Sequence, residues 1–163
     1  IDIGRPEQET TSTDMPEGTD EEHEPTPNLF QVDECQVEIN GIYKTALSRD
    51  LMAAINSRRA EYNIDPVAFN TSLTACADSR FKEQTYFIGH FRPDGSPFSS
   101  VSPEGHVLGE LIAVEYRTVE DIMEAFFSVN KSRMQMMNPD YTQCGVSIYD
   151  IDDTYYIAVL FGY

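Results

Sequence analysis

The stretch 145–163, GVSIYDIDDTYYIAVLFGY, decides the fold. Gly145–Tyr149 and Tyr155–Phe161 are runs rich in β-branched and aromatic side chains, and the acidic Asp150-Ile151-Asp152-Asp153 between them is a short polar connection. The chain therefore closes on an antiparallel hairpin. Its aspartates do not make a calcium loop, because the Gly and terminal Glu of an EF-hand are missing.

Outward from the hairpin the upstream segments are mostly helical. Lys131–Met137 reads as a short helix stopped by Asn138-Pro139. Thr118-Val119-Glu120-Asp121 resembles a capping box with Asp in place of Glu, and Val119, Ile122, Phe126 and Val129 form the apolar stripe of the helix it opens. Residues 106–114 read as a strand in which Gly109 marks a bulge or the close approach of another chain. Phe69, Leu73, Ala77 and Phe81 recur every four residues, with Cys76 and Arg80 on the flank, and predict a helix from Asn70 or Thr71 to near Gln84. Leu47, Leu51, Ile55, Arg58 and Tyr62 predict a first helix, with Ser48 as its N-cap and Asn63–Pro66 as its stop. Asn40-Gly41, between Val37/Ile39 and Ile42/Tyr43, has the signature of a small hairpin. Helices first and paired strands last predict an α+β layer fold with helices on a small antiparallel sheet.

Charge divides the chain. Of its 163 residues 28 are acidic and 11 basic, a formal net charge of -17. Residues 1–34 hold 11 of the acidic groups against Arg5 alone, leaving 17 acidic and 10 basic side chains for the rest. Thr10–Glu24, rich in Pro, Thr and Glu and poor in apolar side chains, cannot bury enough surface to offset the entropy of ordering. We expect an acidic tether over 1–34, a small N-terminal extension over 35–46 and a folded domain over 47–163. A chain this acidic is repelled by phosphate backbones, so nucleic acid is excluded as a default partner. No run approaches the roughly 20 apolar residues of a membrane span. Cys35, Cys76 and Cys144 are an odd number without zinc-type spacing. Cys76 reads as a small buried hydrophobe, and a Cys35–Cys144 bridge stays open beside free thiols.

Three histidines are present, and His23 falls in the tether. His90 precedes the turn-dense Phe91-Arg92-Pro93-Asp94-Gly95-Ser96-Pro97, a loop rigid enough to hold a side chain in place. His106 and Glu110 share one face of a regular strand, so His90, His106 and Glu110 are the candidate ligands of a divalent metal such as zinc. The plainer reading of His90 is a hydrogen-bonded structural residue. Met134, Met136 and Met137 beside Phe126 and Phe127 are either core or a flexible lipid-accepting groove.

The order of the motifs GHFRPDGSPFSSV (89–101), GELIA (109–113), a capped helix, KSRMQMMNPDYTQCGVSIY (131–149) and YYIAVLFG (155–162) resembles the CAP superfamily of SCP-like extracellular domains, most closely its bacterial branch. The resemblance spans about residues 47–163 and implies an α-β-α sandwich, a three-layer arrangement around a small antiparallel sheet, in an exported protein that is secreted or lipid-anchored through an upstream segment. It implies that His90 and Glu110 stand in the family's cleft. Ser132, before Arg133, occupies the place of the second cleft His, Leu111 that of the Asn after the Glu, Phe126 that of a Trp, and Val129 that of a second acid found in many relatives. A metal-holding His pair is thus completed only if His106 substitutes.

The expected function is a non-catalytic, monomeric extracellular domain whose cleft, at His90, Glu110, Ser132 and Arg133, binds a small molecule, lipid or peptide. No cofactor is required by this reading. Two alternatives stay open: a hydrolase using Ser132, His90 and Glu110 as nucleophile, base and orienter, and an adhesion or protein-interaction scaffold.

Overall fold

A computed structural model describes residues 41–102 and 105–163, apart from the side chain of Ile42. The tether, Cys35 and the first arm of the Asn40-Gly41 hairpin lie outside the described residues. The elements run β1 (Ile42–Tyr43), α1 (Thr45–Glu61), β2 (Ala68–Phe69), α2 (Thr71–Gln84), β3 (Gly109–Val114), α3 (Val119–Ser128), α4 (Asn130–Met136), β4 (Gln143–Ile151) and β5 (Thr154–Gly162), with a 3-10 turn at Phe98–Val101. The sheet order is β1-β4-β5-β3, with β2 also on β4.

The β4–β5 hairpin is the spine of the sheet, antiparallel from Gln143↔Gly162 to Ile151↔Thr154. Its two-residue turn places Asp152 and Asp153 at φ 50° and 65°. Positive φ at both central positions matches the right-handed twist of the flanking strands. β3 pairs antiparallel with β5, in unbroken register from Gly109↔Phe161 to Val114↔Tyr156. β1 and β2 cover opposite ends of the other edge of β4, β1 antiparallel at Tyr149–Asp150 and β2 parallel at Gln143–Cys144. Of the anticipated Asn40-Gly41 hairpin, Ile42 and Tyr43 therefore find their partner in β4.

Side-chain alternation along β5 builds the three layers. Ile157, Val159 and Phe161 join Leu51 and Ile55 of α1, Ile122 and Phe126 of α3 and Met136 of α4 in one core. Ala158 and Leu160 face the other way, against Leu73, Ala77 and Phe81 of α2. Three helices thus cover one face of the sheet and α2 the other, the α-β-α sandwich expected. α2 lies so close that a Cβ on Gly145 would stand 2.2 Å from the Leu73 carbonyl carbon.

The helix starts follow the sequence at two of three places. Asn70 accepts the Leu73 N–H at 2.9 Å, and Thr118 Oγ1 accepts the Asp121 N–H at 3.1 Å, each satisfying an orphan donor of the first turn. Ser48 is not an N-cap. The helix begins earlier, at Lys44, without a side-chain cap, and Ser48 sits inside it, buried, its Oγ without a hydrogen-bond partner among the described residues. The buried stripe of α1 is Ser48, Leu51, Ile55 and Arg59, so Arg59 enters the core in place of the expected Arg58 and Tyr62. Its guanidinium donates to the carbonyls of Asp65 (2.8 Å), Met136 (2.9 Å), Asn138 (2.9 Å) and Tyr141 (3.0 Å). That ties α1 to the α4–β4 connection.

Of the other expectations, the 106–114 strand begins only at Gly109, leaving His106 in the loop before it. Gly109 is a close-approach site, not a bulge: a Cβ there would lie 2.5 Å from Gln135 Oε1 and 2.7 Å from the Tyr141 ring. The methionines separate, Met136 fully buried and Met134 64 % exposed, so they form no shared groove. Cys144 is a free, wholly buried thiol, and Cys76 is half-buried.

Candidate functional site

The site forms where the C-terminal half of α2, the loop after it and the start of β3 converge. Glu110 is the second residue of β3, and alternation turns it to the face of the sheet that α2 covers, where it is 3 % exposed. A buried carboxylate requires partners, and Arg80 of α2, itself fully buried, supplies them. Arg80 Nε donates to Glu110 Oε2 at 2.5 Å and Nη2 to Oε1 at 3.0 Å, the bidentate geometry that guanidinium and carboxylate share. Arg80 also donates to Glu83, one turn on, and to the Gly89 carbonyl at 2.7 Å. Glu83 accepts in turn from Arg92 Nε at 2.8 Å. Burial alone would lower the Arg80 pKa, but the hydrogen bonds and charges of Glu110 and then Glu83 outweigh it, and the group lies above its ordinary value.

This ladder fixes His90. Gln84 clamps the preceding peptide, donating to the Gly89 carbonyl at 3.1 Å and accepting its N–H at 2.9 Å. The Arg92–Ser96 turn and the Phe98 N–H, which reaches the His90 carbonyl at 3.0 Å, hold the other side. His90 Nδ1 stands 3.0 Å from Glu110 Oε1, while its side chain is 58 % exposed. With a carboxylate as acceptor the network assigns the proton to Nδ1, which leaves Nε2 as the atom without a partner in this ladder. A cleft of about 180 Å³ lies there, lined by His90, Phe98, Glu110, Lys131, Ser132 and Gln135.

Of the expected cleft residues, the structure brings together His90, Glu110 and Ser132. Arg133 is not in the cleft: on α4 it points toward α3, bonding Asn130 Oδ1 at 2.8 Å and lying over the Phe127 ring at 5.7 Å. His106 is not in it either. It lines a separate pocket of about 240 Å³ with Asn70, Ser72, Cys76, Ser102 and Tyr163, so the set His90, His106 and Glu110 is not assembled. Among the described residues no three His, Cys, Asp or Glu side chains stand together as metal ligands. The residues of the cleft do not fit zinc: both Glu110 oxygens already serve Arg80, His90 is the one imidazole among the lining residues, and the cationic Lys131 lines the same space. Among the described residues no hydrogen bond joins Ser132 to His90.

The family model described as the cysteine-rich secretory protein family, CAP, matches residues 52–163. The chain belongs to this family. Its fold is that of an outer surface protein from Borrelia burgdorferi, at TM-score 0.69 and 16 % identity, covering 75 % of this chain and 96 % of that one. It is also that of an extracellular SCP-domain protein from Bacillus anthracis, at TM-score 0.63 and 17 % identity over 73 % of this chain and 41 % of that one. In sequence the chain is 25 % identical over 108 residues to the uncharacterized Bacillus subtilis protein YkwD, covering 63 % of this chain and 42 % of YkwD. The match spans less than half of that bacterial relative.

The sequence reading of this CAP domain missed Arg80, Glu83 and Arg92. Arg80 was visible as a cation inside the apolar stripe of α2 with Glu83 three residues on, a placement that demands buried carboxylate partners. Its second partner, Glu110, is thirty residues away, beyond the reach of any local pattern.

Proposed function

We propose that this CAP domain is a non-catalytic domain working outside the cytoplasm, and that its cleft at His90 and Glu110 binds part of a small molecule, lipid or peptide. The carrying observation is that the Arg80–Glu110 pair immobilises His90 while leaving most of its ring exposed to the cleft. A rigid polar group at the mouth of a small cavity orients a ligand without first losing rotamer entropy. The extracellular setting is supported by the two structural relatives, an outer surface protein and an extracellular protein, and by the secretory family to which the chain belongs. Among the described residues no helix is long and apolar enough to cross a membrane.

The test is an NMR titration of the ¹⁵N-labelled chain with acetyl-trialanine, with lauric acid below its micellar concentration, and with glucose. The proposal expects saturable shifts at residues 89–91, 110 and 131–135 from at least one probe, abolished by His90→Ala. Shifts that survive His90→Ala, or no shifts at these residues, would overturn it.

A second reading has its own observation. Tyr86, Phe87, Ile88 and Phe91 are all 52 % exposed or more within six residues, the density of apolar surface that marks interaction sites. On the scaffold reading, partner binding survives His90→Ala combined with Glu110→Gln and is lost in Phe87→Ser with Ile88→Ser.

A further inference from the structure

We propose that the cleft beside His90 is built for the carboxylate end of its ligand, held by Lys131, Ser132 and Gln135. The inference rests on the cleft reading above and specifies which chemical group enters.

Hydrogen-bonding capacity decides the class. Glu110, the carboxylate of the cleft, has both oxygens engaged, Oε2 by Arg80 Nε at 2.5 Å and Oε1 by Arg80 Nη2 and His90 Nδ1 at 3.0 Å each. It therefore offers little to an incoming donor. Gln135 Oε1 is taken by the Tyr141 hydroxyl at 2.7 Å, a separation typical of O–H···O bonds and shorter than the usual N–H···O distance. With the amide oxygen on the Tyr141 side, where the hydroxyl also stands 3.2 Å from the Leu108 carbonyl, the Nε2 donors of Gln135 are left for the cleft that Gln135 lines. Gly109 makes this possible, since a side chain there would occupy the space of Gln135 Oε1. Lys131 and Ser132 line the same cleft, and an ammonium carries three donors and a hydroxyl one. The wall is thus rich in donors that water can satisfy and that a ligand's acceptors can take over.

Charge points the same way. Arg80 and Arg92 balance Glu110 and Glu83 within the ladder. The Lys131 charge is left over, and among the described residues no ion pair engages it. The cleft is locally cationic on a chain whose net charge is -17. Its volume of about 180 Å³ falls below the roughly 300–1,000 Å³ of pockets that enclose a whole drug-sized ligand. An end group fits, with Phe98 as the apolar wall for the carbon next to it. A carboxylate is small, planar and purely an acceptor when ionised, and answers all three conditions.

The experiment uses propionate, propionamide and propylamine as probes of nearly equal size. Each is titrated to about 0.1 M, far above the millimolar Kd of a weak complex. The ¹⁵N-labelled full chain is kept in about 0.15 M salt, where the Debye length of about 8 Å screens its distant acidic groups. We expect propionate to shift residues 90, 131, 132 and 135 saturably and at least about tenfold more tightly than the other two, a difference of about 1.4 kcal/mol. Lys131→Met, at an exposed position, should weaken propionate at least about fivefold while the rest of the spectrum stays unchanged, and Ser132→Ala should weaken it less. If propionamide or propylamine binds the same residues as tightly as propionate, the carboxylate assignment is wrong and the cleft reading survives. Propionate shifts unaffected by Lys131→Met, or lying elsewhere, also overturn the assignment. Absence of shifts from all three probes overturns it too, and the cleft reading is then judged by its own titration.

Discussion

Replacing Arg59 by methionine removes a buried cation whose four hydrogen bonds all end on backbone carbonyls. Methionine has a similar reach and no donor, so it fills the volume and orphans the acceptors. The carbonyls of Met136 and Tyr141 are bonded in the interior, whereas the bonds to Asp65 and Asn138 lie nearer solvent, where water replaces the guanidinium. Each buried orphan costs about 1–3 kcal/mol. Two deep carbonyls and partial losses at the other two give an expected destabilisation of about 3–5 kcal/mol, the range for breaking a buried charged network. Urea unfolding followed by far-UV circular dichroism is the assay, because the chain has no Trp. With a slope of about 1–3 kcal/mol per molar urea, the midpoint should fall by about 2 M. Burial lowers the Arg59 pKa more than the charges of Cys144 and Asp65 raise it. A base lowered in the fold loses stability as pH falls through the interval between its unfolded and folded values. Arginine stays charged in both states from about pH 5 to about pH 9, so the cost should be the same at both ends. Arg59→Lys should fall between the parent and methionine. A methionine variant within about 1 kcal/mol of the parent would refute the claim that Arg59 is what satisfies these carbonyls.

Gly145→Ala should destabilise by about 3 kcal/mol or more, because the new Cβ meets helix backbone at Leu73 and Thr74 that cannot shift cheaply; an unchanged urea midpoint would contradict the close packing of α2 on β4. Burial raises the Asp78 pKa although the Ser147 hydrogen bond and Lys82 lower it. The parent therefore loses stability as pH rises from the unfolded value toward the folded one. Asp78→Asn lacks this loss, so its stability relative to the parent should be greater at about pH 7 than at about pH 3, and a constant difference would refute the sign. Burial pushes the Cys144 thiol up to about 12 against the opposing charge of Arg59, so with Cys35 and Cys76 changed to serine a thiol reagent at neutral pH should label the chain only as fast as it unfolds. Ser132→Ala should leave any measured hydrolysis of p-nitrophenyl acetate unchanged, and a loss of about 100-fold or more would restore Ser132 as a nucleophile.

The fold was legible where periodicity and punctuation agree. The β4–β5 hairpin shows as two β-rich runs around Asp150–Asp153, and α2 and α3 start at the caps, Asn70 and Thr118, that their sequences offer. Legibility failed where a polar group is buried for a tertiary reason. In α1, Arg58 and Arg59 are equivalent to a helical pattern, and only the carbonyls gathered from Asp65 to Tyr141 draw Arg59 inward. β2 is an exposed pair, Ala68–Phe69, whose pairing depends on β4 passing alongside it. His106 was extrapolated into β3 by continuing an apolar run, but ladder pairing with β5 begins at Gly109. His90 and Glu110 are twenty residues apart, and the motifs shared with the CAP family, rather than any periodicity, joined them.

The ladder behind His90 also bears on the two readings of a serine in this cleft, holding a ligand and hydrolysis. A hydrolytic triad needs a base within hydrogen-bond reach of its nucleophile and a carboxylate free to stabilise the imidazolium. Among the described residues no hydrogen bond connects Ser132 to His90, and the Glu110 carboxylate is shared with a bidentate Arg80 that is fully buried. The same pairing fixes the position of His90, and Arg80 in turn is held by Glu83, Gly89 and the turn around Arg92. Rigidity of this kind benefits a site that must present donors and acceptors at fixed places.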